Sequence, residues 1–346
     1  MPPATKCCAS CFGDRGLRNS IIPSFSPSRG TCSYCGTANE LLVDPGVLAD
    51  VFGALINTYE EDPGGRPLVE ILKEDWLLFD HVAMNNPRAK ELLAEILDDG
   101  EIVRRTFIPS PKYQSDRLAQ WKALRAELMH ENRYFPRTPL DTDRLSKLLA
   151  QLHADPIAAT WFRARLQTSD DLIDIKDMGA PPKRIAGHGR ANPAGIPYLY
   201  LGSTPETAVS EVRPHTGDKA CIADFAVPAG LQIIDLCSPR KLVSPFLLDS
   251  EDDIGRLRSD IPFLEGVGEE LTRPIVPMGA SIDYVPSQYL CEFIKKCGYA
   301  GVLYRSSVSS GINLALFDPS VATPGAVQQF EVERVTVDIR VAPTRP

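Results

Sequence analysis

Long apolar runs are missing from this chain. No stretch approaches 18 uninterrupted apolar residues, so no membrane-spanning helix is expected. The opening MPPATKCCAS lacks the apolar segment of a secretion signal, and a cytoplasmic location is expected. Positive charge is not in excess: 37 Lys and Arg face 45 Asp and Glu, a net charge of −8. That balance argues against a broad phosphate-binding surface and against a nucleic-acid partner, while leaving room for one local basic pocket. An internal repeat is absent, and so is the regular strand–helix alternation of a doubly wound sheet. A disulfide framework is absent too. The nine cysteines are odd in number, and five crowd into the first 35 residues, a pattern of a metal site in a reducing compartment.

What remains is an ordinary globular composition, 43% apolar and 24% charged over 346 residues. That length suffices for two domains or one domain with a sizeable extension. Residues 1–45, rich in Cys, Gly, Ser and Pro, read as a loop-rich knuckle. Cys8-x2-Cys11 and Cys32-x2-Cys35 have the spacing of one tetrahedral, structural zinc site, with Cys7 able to replace Cys8 in a slipped register. Residues 46–153 read as helical. PGVLADVFGALINTYEED sets Val47, Val51, Leu55 and Ile56 on one face, and NNPRAKELLAEILDDG has an asparagine start and a glycine stop. YQSDRLAQWKALRAELMHENRYF is the longest helical pattern, and a further helix is expected from near Asp141.

After about 155 the pattern changes to short strands. TWFRARLQ, IPYLYLG, ACIADFAV, LQIIDL, GVLYRSS and INLALFD predict a mostly antiparallel or mixed sheet, with SQYLCEFIKKCG a helix and QFEVERVTVDIRVAP a last edge strand. Alternation puts Tyr198, Tyr200 and Gly202 on one strand face and Arg163 with Arg165 on one face of another. Two cations so close call for an anion, and a diphosphate fits. Thr204 and Pro205 start a helix that carries Glu211 beside its apolar positions. The preceding GHGRANPAG loop lets backbone approach a ligand while presenting Arg190.

These residues resemble the RES domain: WFR with Arg163, GRANPAG with Arg190, YLYLGSTPETAVSE with Tyr200 and Glu211, and YRSSVSSGINLALFDP with Ser307, or alternatively Ser306. The resemblance spans about residues 155–320, and the front half resembles a zinc-bearing helical domain of the HEPN class. It implies an α+β architecture: 1–45 a zinc knuckle, 46–153 an all-α domain, and 154–346 an ADP-ribosyltransferase-like mixed sheet. It also implies an NAD-cleaving toxin, a glycohydrolase or phosphorylase, with a small helix-turn-helix antitoxin or other inhibitory protein as partner. A homo-oligomer is expected. In that reading Glu211 stabilises the ribosyl cation, Arg163 and Arg190 hold the diphosphate, Tyr200 walls the nicotinamide, and Ser307 orients the ribose or amide. Three alternatives remain open: ADP-ribosyl transfer to a protein, a nucleotide-binding module without catalysis, and a HEPN-type RNase. The last would use Arg125 and His130, which lie about 140° apart on a helix and need a partner helix to converge.

Overall fold

The computed structural model describes residues 5–25, 28–154, 157–275 and 279–336. The strands are β1 (Cys7–Cys8), β2 (Ser28–Gly30), β3 (Glu40–Val43), β4 (Tyr59–Pro67), β5 (Thr106–Pro109), β6 (Thr160–Leu166), β7 (Leu199–Gly202), β8 (Lys219–Ala226), β9 (Ile233–Asp235), β10 (Gly301–Arg305), β11 (Ile312–Leu316) and β12 (Thr323–Glu331). The helices are α1 (Ile22–Ser24), α2 (Ala49–Ile56), α3 (Leu68–Trp76), α4 (Asn86–Leu97), α5 (Arg117–His130), α6 (Thr142–Ala150), α7 (Pro205–Glu211), α8 (Pro239–Leu242), α9 (Glu251–Thr272), α10 (Ala280–Asp283) and α11 (Val285–Lys296). Their contacts group them into two units, Met1–Ala123 with Ser238–Gly266, and Leu124–Cys237 with Val267–Pro346. Ser238–Gly266 is far from the rest of the first unit in sequence and belongs to it by contact.

In the first unit β1, β3 and β2 form a small antiparallel sheet; Cys8 lies in β1, Cys11 in the 3-10 turn after it, and Cys32 and Cys35 in the loop between β2 and β3. α4 begins where expected: the Asn85 side chain accepts from the Arg88 N–H at 3.1 Å, and a proline occupies the first turn. It stops before the expected glycine, with Asp98 itself in the left-handed conformation at φ +49°. α2 is rotated relative to the expected face. Leu48, Phe52, Leu55 and Ile56 are buried and Val47 is exposed, because Pro45–Leu48 forms a tighter 3-10 turn that shifts the helical phase. The region expected to be wholly helical also contains the β4–β5 ladder. Pro63, Gly64 and Gly65 cannot continue a helix and fall in a register shift of the ladder, while the β-branched and aromatic Thr106, Phe107 and Ile108 pair with Glu60, Glu61, Arg66 and Pro67 on either side of it.

The second unit is built on a seven-stranded sheet in the order β12-β8-β6-β7-β11-β10-β9. Every pair is antiparallel except β9 with β10, so the sheet is mixed. One face buries Trp161, Leu199, Leu201, Ala223, Phe225 and Leu314. On the other face α7 packs Ala208, Val209 and Val212 against Phe162, Ala164 and Ile222. The expected strands all form, shortened at their ends. Of the expected last strand, 329–343, only Gln329–Glu331 belongs to β12, which runs along β8; 332–336 are not strand, and 337–343 lie outside the described residues. α9 has no counterpart in the sequence reading. Its buried Ile254, Leu257, Ile261, Leu264, Val267 and Leu271 keep helical spacing through Pro262. Among the described residues no helix is long and apolar enough to cross a membrane.

Candidate active site and candidate metal centre

α7 starts because the Thr204 side chain accepts from the Thr207 N–H at 3.1 Å and Pro205 suits the first turn. It can lie directly on β7 because Gly202 has no side chain; a Cβ there would come within 2.7 Å of the Ala208 nitrogen. This close approach brings Glu211, the last residue of the helix, to the ends of β10 and β11. Its Oε1 accepts from the Ser306 hydroxyl at 2.7 Å and from the Asn313 side-chain amide at 2.6 Å. Glu211 is exposed overall, whereas Ser306 and Asn313 are buried. The carboxylate is thus tethered through one oxygen and open to solvent.

Arg190 is presented by the glycine–proline loop, which is itself tied down. The Tyr200 hydroxyl donates to Asn192 Oδ1 at 2.6 Å and accepts from the Ala191 N–H at 3.0 Å. From α11, Gln288 donates to the Gly189 and Asn192 carbonyls and Ser287 to the Arg190 carbonyl. Gly189 is required where it stands, since a Cβ would meet Asn192 and the Tyr200 hydroxyl at 2.4 Å. The guanidinium donates through Nη1 to the carbonyls of Leu271 and Arg273, at 3.2 and 2.7 Å, and through Nη2 to Ser307 Oγ at 2.9 Å. It also lies 5.5 Å from the centre of the Tyr284 ring. Burial pushes the Tyr200 phenol well up, so it stays neutral and serves as both donor and acceptor.

The β11 register pairs Asn313 with Gly202 and with Tyr304, and Ala315 with Tyr200. Tyr200, Tyr304 and Asn313 therefore leave one face of the sheet together. Tyr304 is buried, and burial raises its phenol strongly; Tyr200 and Glu211 add to the rise while Arg190 opposes it. The structure therefore gathers Arg190, Tyr200, Glu211, Ser306 and Ser307. Both serines of the ambiguous pair are used, Ser306 on Glu211 and Ser307 on Arg190.

Arg163 is placed otherwise. Phe162 pairs with Gly202 and so shares the Tyr200 face; its neighbour Arg163 leaves by the opposite one, with Arg165. Its Nη1 donates to the Tyr200 carbonyl at 3.0 Å and its Nε has no hydrogen-bond partner among the described residues. Burial, with Arg165 adding, lowers its pKa to about 10. The register does not bring Arg163 to Glu211. Asn313, Tyr304, Ser287 and Gln288 were not singled out from sequence. A lone asparagine inside the apolar strand INLAL was the available signal, since a buried amide needs a partner.

In the first unit Cys8, Cys11, Cys32 and Cys35 are all buried, and their sulfurs lie within 4.8 Å of one another. Four thiolates about 2.3 Å from one ion would sit roughly 3.8 Å apart, inside that limit, so the donor set fits tetrahedral zinc and leaves no open position. Cys8, not Cys7, joins the cluster, which resolves the register. The Thr37 hydroxyl lies 3.1 Å from Cys35 Sγ and 3.3 Å from His81 Nε2, holding that ligand from outside. Arg125, by contrast, forms an ion pair with the buried Glu270 at 3.0 Å.

Comparison with curated proteins gives no match. Among solved structures, a chain of the M. tuberculosis MbcT-MbcA toxin-antitoxin complex aligns with 14% identity, over 54% of this chain and 92% of that one, with a TM-score of 0.32. Comparison with protein families matches residues 160–337, just over half of the chain, to the RES domain, and the chain belongs to that family.

Proposed function

We propose that the second unit cleaves NAD at the nicotinamide–ribose bond. The observation that carries this reading is the Glu211 carboxylate, tethered through Oε1 by Ser306 and Asn313 and otherwise open to solvent. Departure of neutral nicotinamide leaves positive charge on the ribose ring. A fixed carboxylate stabilises that charge, and its second oxygen accepts from a ribose hydroxyl. The N–H groups of Arg190 not directed at Leu271, Arg273 and Ser307 bind the anionic part of the substrate, and the Tyr200 ring walls the nicotinamide. Arg163, facing the other side of the sheet, acts on the site through the Tyr200 main chain rather than by holding the diphosphate. RES membership supports the NAD chemistry and a toxin held in check by an inhibitory protein partner.

The fold we propose for this unit is the ADP-ribosyltransferase-like one, and the role we propose for the zinc is structural. An RNase reading is not favoured, because Arg125 is already committed to Glu270. The test is nicotinamide release from NAD by the purified chain, followed chromatographically. Glu211→Gln keeps the size and removes the charge, and we expect roughly a 100-fold loss or more. A folded variant that still turns over NAD at the parent rate sinks the assignment.

A further inference from the structure

We infer that Asn313 is a positioning residue for Glu211, selecting which carboxylate oxygen meets the ligand. This rests on the reading of Glu211 as the group that faces the ribose.

The orientation of each donor is forced. Ser306 Oγ accepts from the backbone N–H groups of Val308 and Ser309, at 3.2 and 3.1 Å. Its lone pairs are committed, so its single proton goes to Glu211 Oε1. A carboxylate only accepts, so the Asn313 amide must present its nitrogen; the flipped amide would set oxygen against oxygen. Both donors converge on the same atom, at 2.7 and 2.6 Å. Oε1 is therefore saturated, and Oε2 keeps its lone pairs for a hydroxyl or a developing cation.

Rigidity comes from Asn313 more than from Glu211. Glu211 sits on the last turn of a seven-residue helix and is exposed, where an untethered side chain samples several rotamers. Asn313 is only 3% exposed, on an inner strand whose backbone is paired with both Gly202 and Tyr304. An amide buried in such a strand is costly unless satisfied, and Glu211 satisfies it.

The experiment compares kcat, KM for NAD and melting temperature in the parent, Asn313→Leu and Asn313→Asp. Asn313→Leu keeps the branched outline, with larger methyl groups, and removes the donor. Its kcat is expected to fall roughly tenfold, with KM within about twofold and melting little changed. Asn313→Asp keeps shape and polarity but sets a second carboxylate against Oε1, and is expected to lose more than Asn313→Leu. A merely structural role predicts the reverse order. Parental kcat in folded Asn313→Leu, or Asn313→Asp as the milder change, overturns the inference. Should Asn313→Leu not fold, Asn313→Ala is read the same way.

Crystal structures of parent and variant give a readout independent of turnover. The Glu211 carboxylate is expected to leave its parental position in Asn313→Leu, and an unmoved carboxylate overturns the inference. If the parent releases no nicotinamide, the NAD reading fails on its own, and the position of Glu211 still decides the role of Asn313.

Discussion

The Tyr200 hydroxyl is committed in both directions, to Asn192 and to Ala191, so its first contribution is to fix the loop that carries Arg190. Tyr200→Phe leaves those two groups without their partner, and about 1–3 kcal/mol of stability should be lost. Thermal melting measures this, and KM for NAD should rise more than kcat falls because the loop proposed to hold the anion loosens. Arg190 reaches three acceptors with one planar fork. Arg190→Lys keeps the charge but cannot span them, and kcat/KM should drop roughly tenfold or more. At this scale the sequence named Arg190, Tyr200 and Glu211 through their motif spacing. It also showed by alternation that Arg163 and Arg165 share a face. Which face was not legible, because the Phe162–Gly202 pairing sets it, and that pair is separated by forty residues of chain.

Among the elements, α7 shows how a helix places one functional side chain at its end. Gly202→Ala drives a methyl group into the Ala208 backbone and should push the helix, with Glu211, off β7. A destabilisation of about 1–3 kcal/mol is expected, together with loss of NAD turnover out of proportion to it. At the far end of α5, Glu127 accepts from the N–H groups of Arg137 and Thr138, at 2.6 and 2.8 Å. Hydrogen bonds from Thr138 and then Arg137 lower its pKa below the usual carboxylate value. The folded form therefore holds this proton less readily than the unfolded form. The stabilisation is present above the unfolded pKa and is lost as pH falls through the folded one. Limited proteolysis of residues 131–138 should accelerate only as pH falls below the usual carboxylate pKa, and Glu127→Gln should flatten that dependence. Helix starts at Asn85, Asp141 and Thr204 were readable because capping is local chemistry. α9 was not read, because Pro262 and its glycines mask the helical spacing of Ile254 through Leu271. The β4–β5 ladder was not readable, since each strand needs its distant partner.

For the molecule as a whole, the cysteine cluster offers a direct test. The purified chain should carry about one zinc, lost on Cys11→Ser and retained on Cys7→Ser, by elemental analysis. Chelation should lower the melting temperature through the first unit, where the four clustered cysteines come from β1, the 3-10 turn after it and the loop between β2 and β3. The grouping of Ser238–Gly266 with the N-terminal residues cuts across the family match at 160–337. Domain limits drawn along the sequence cannot express that, because contacts between distant segments define the units.

By itself the sequence determined the period of each strand, the caps of several helices, the paired CxxC cysteines and the order of the RES motifs. These depend on residues within a few positions of one another. Only the tertiary structure decided that Cys8 rather than Cys7 joins the cluster and that Ser306 and Ser307 serve different partners. It likewise sent Arg163 to the opposite face from Tyr200 and brought Asn313 to Glu211. The faces of Arg163 and Asn313 are settled by strand register, which is a property of pairs of segments that no single stretch of chain contains.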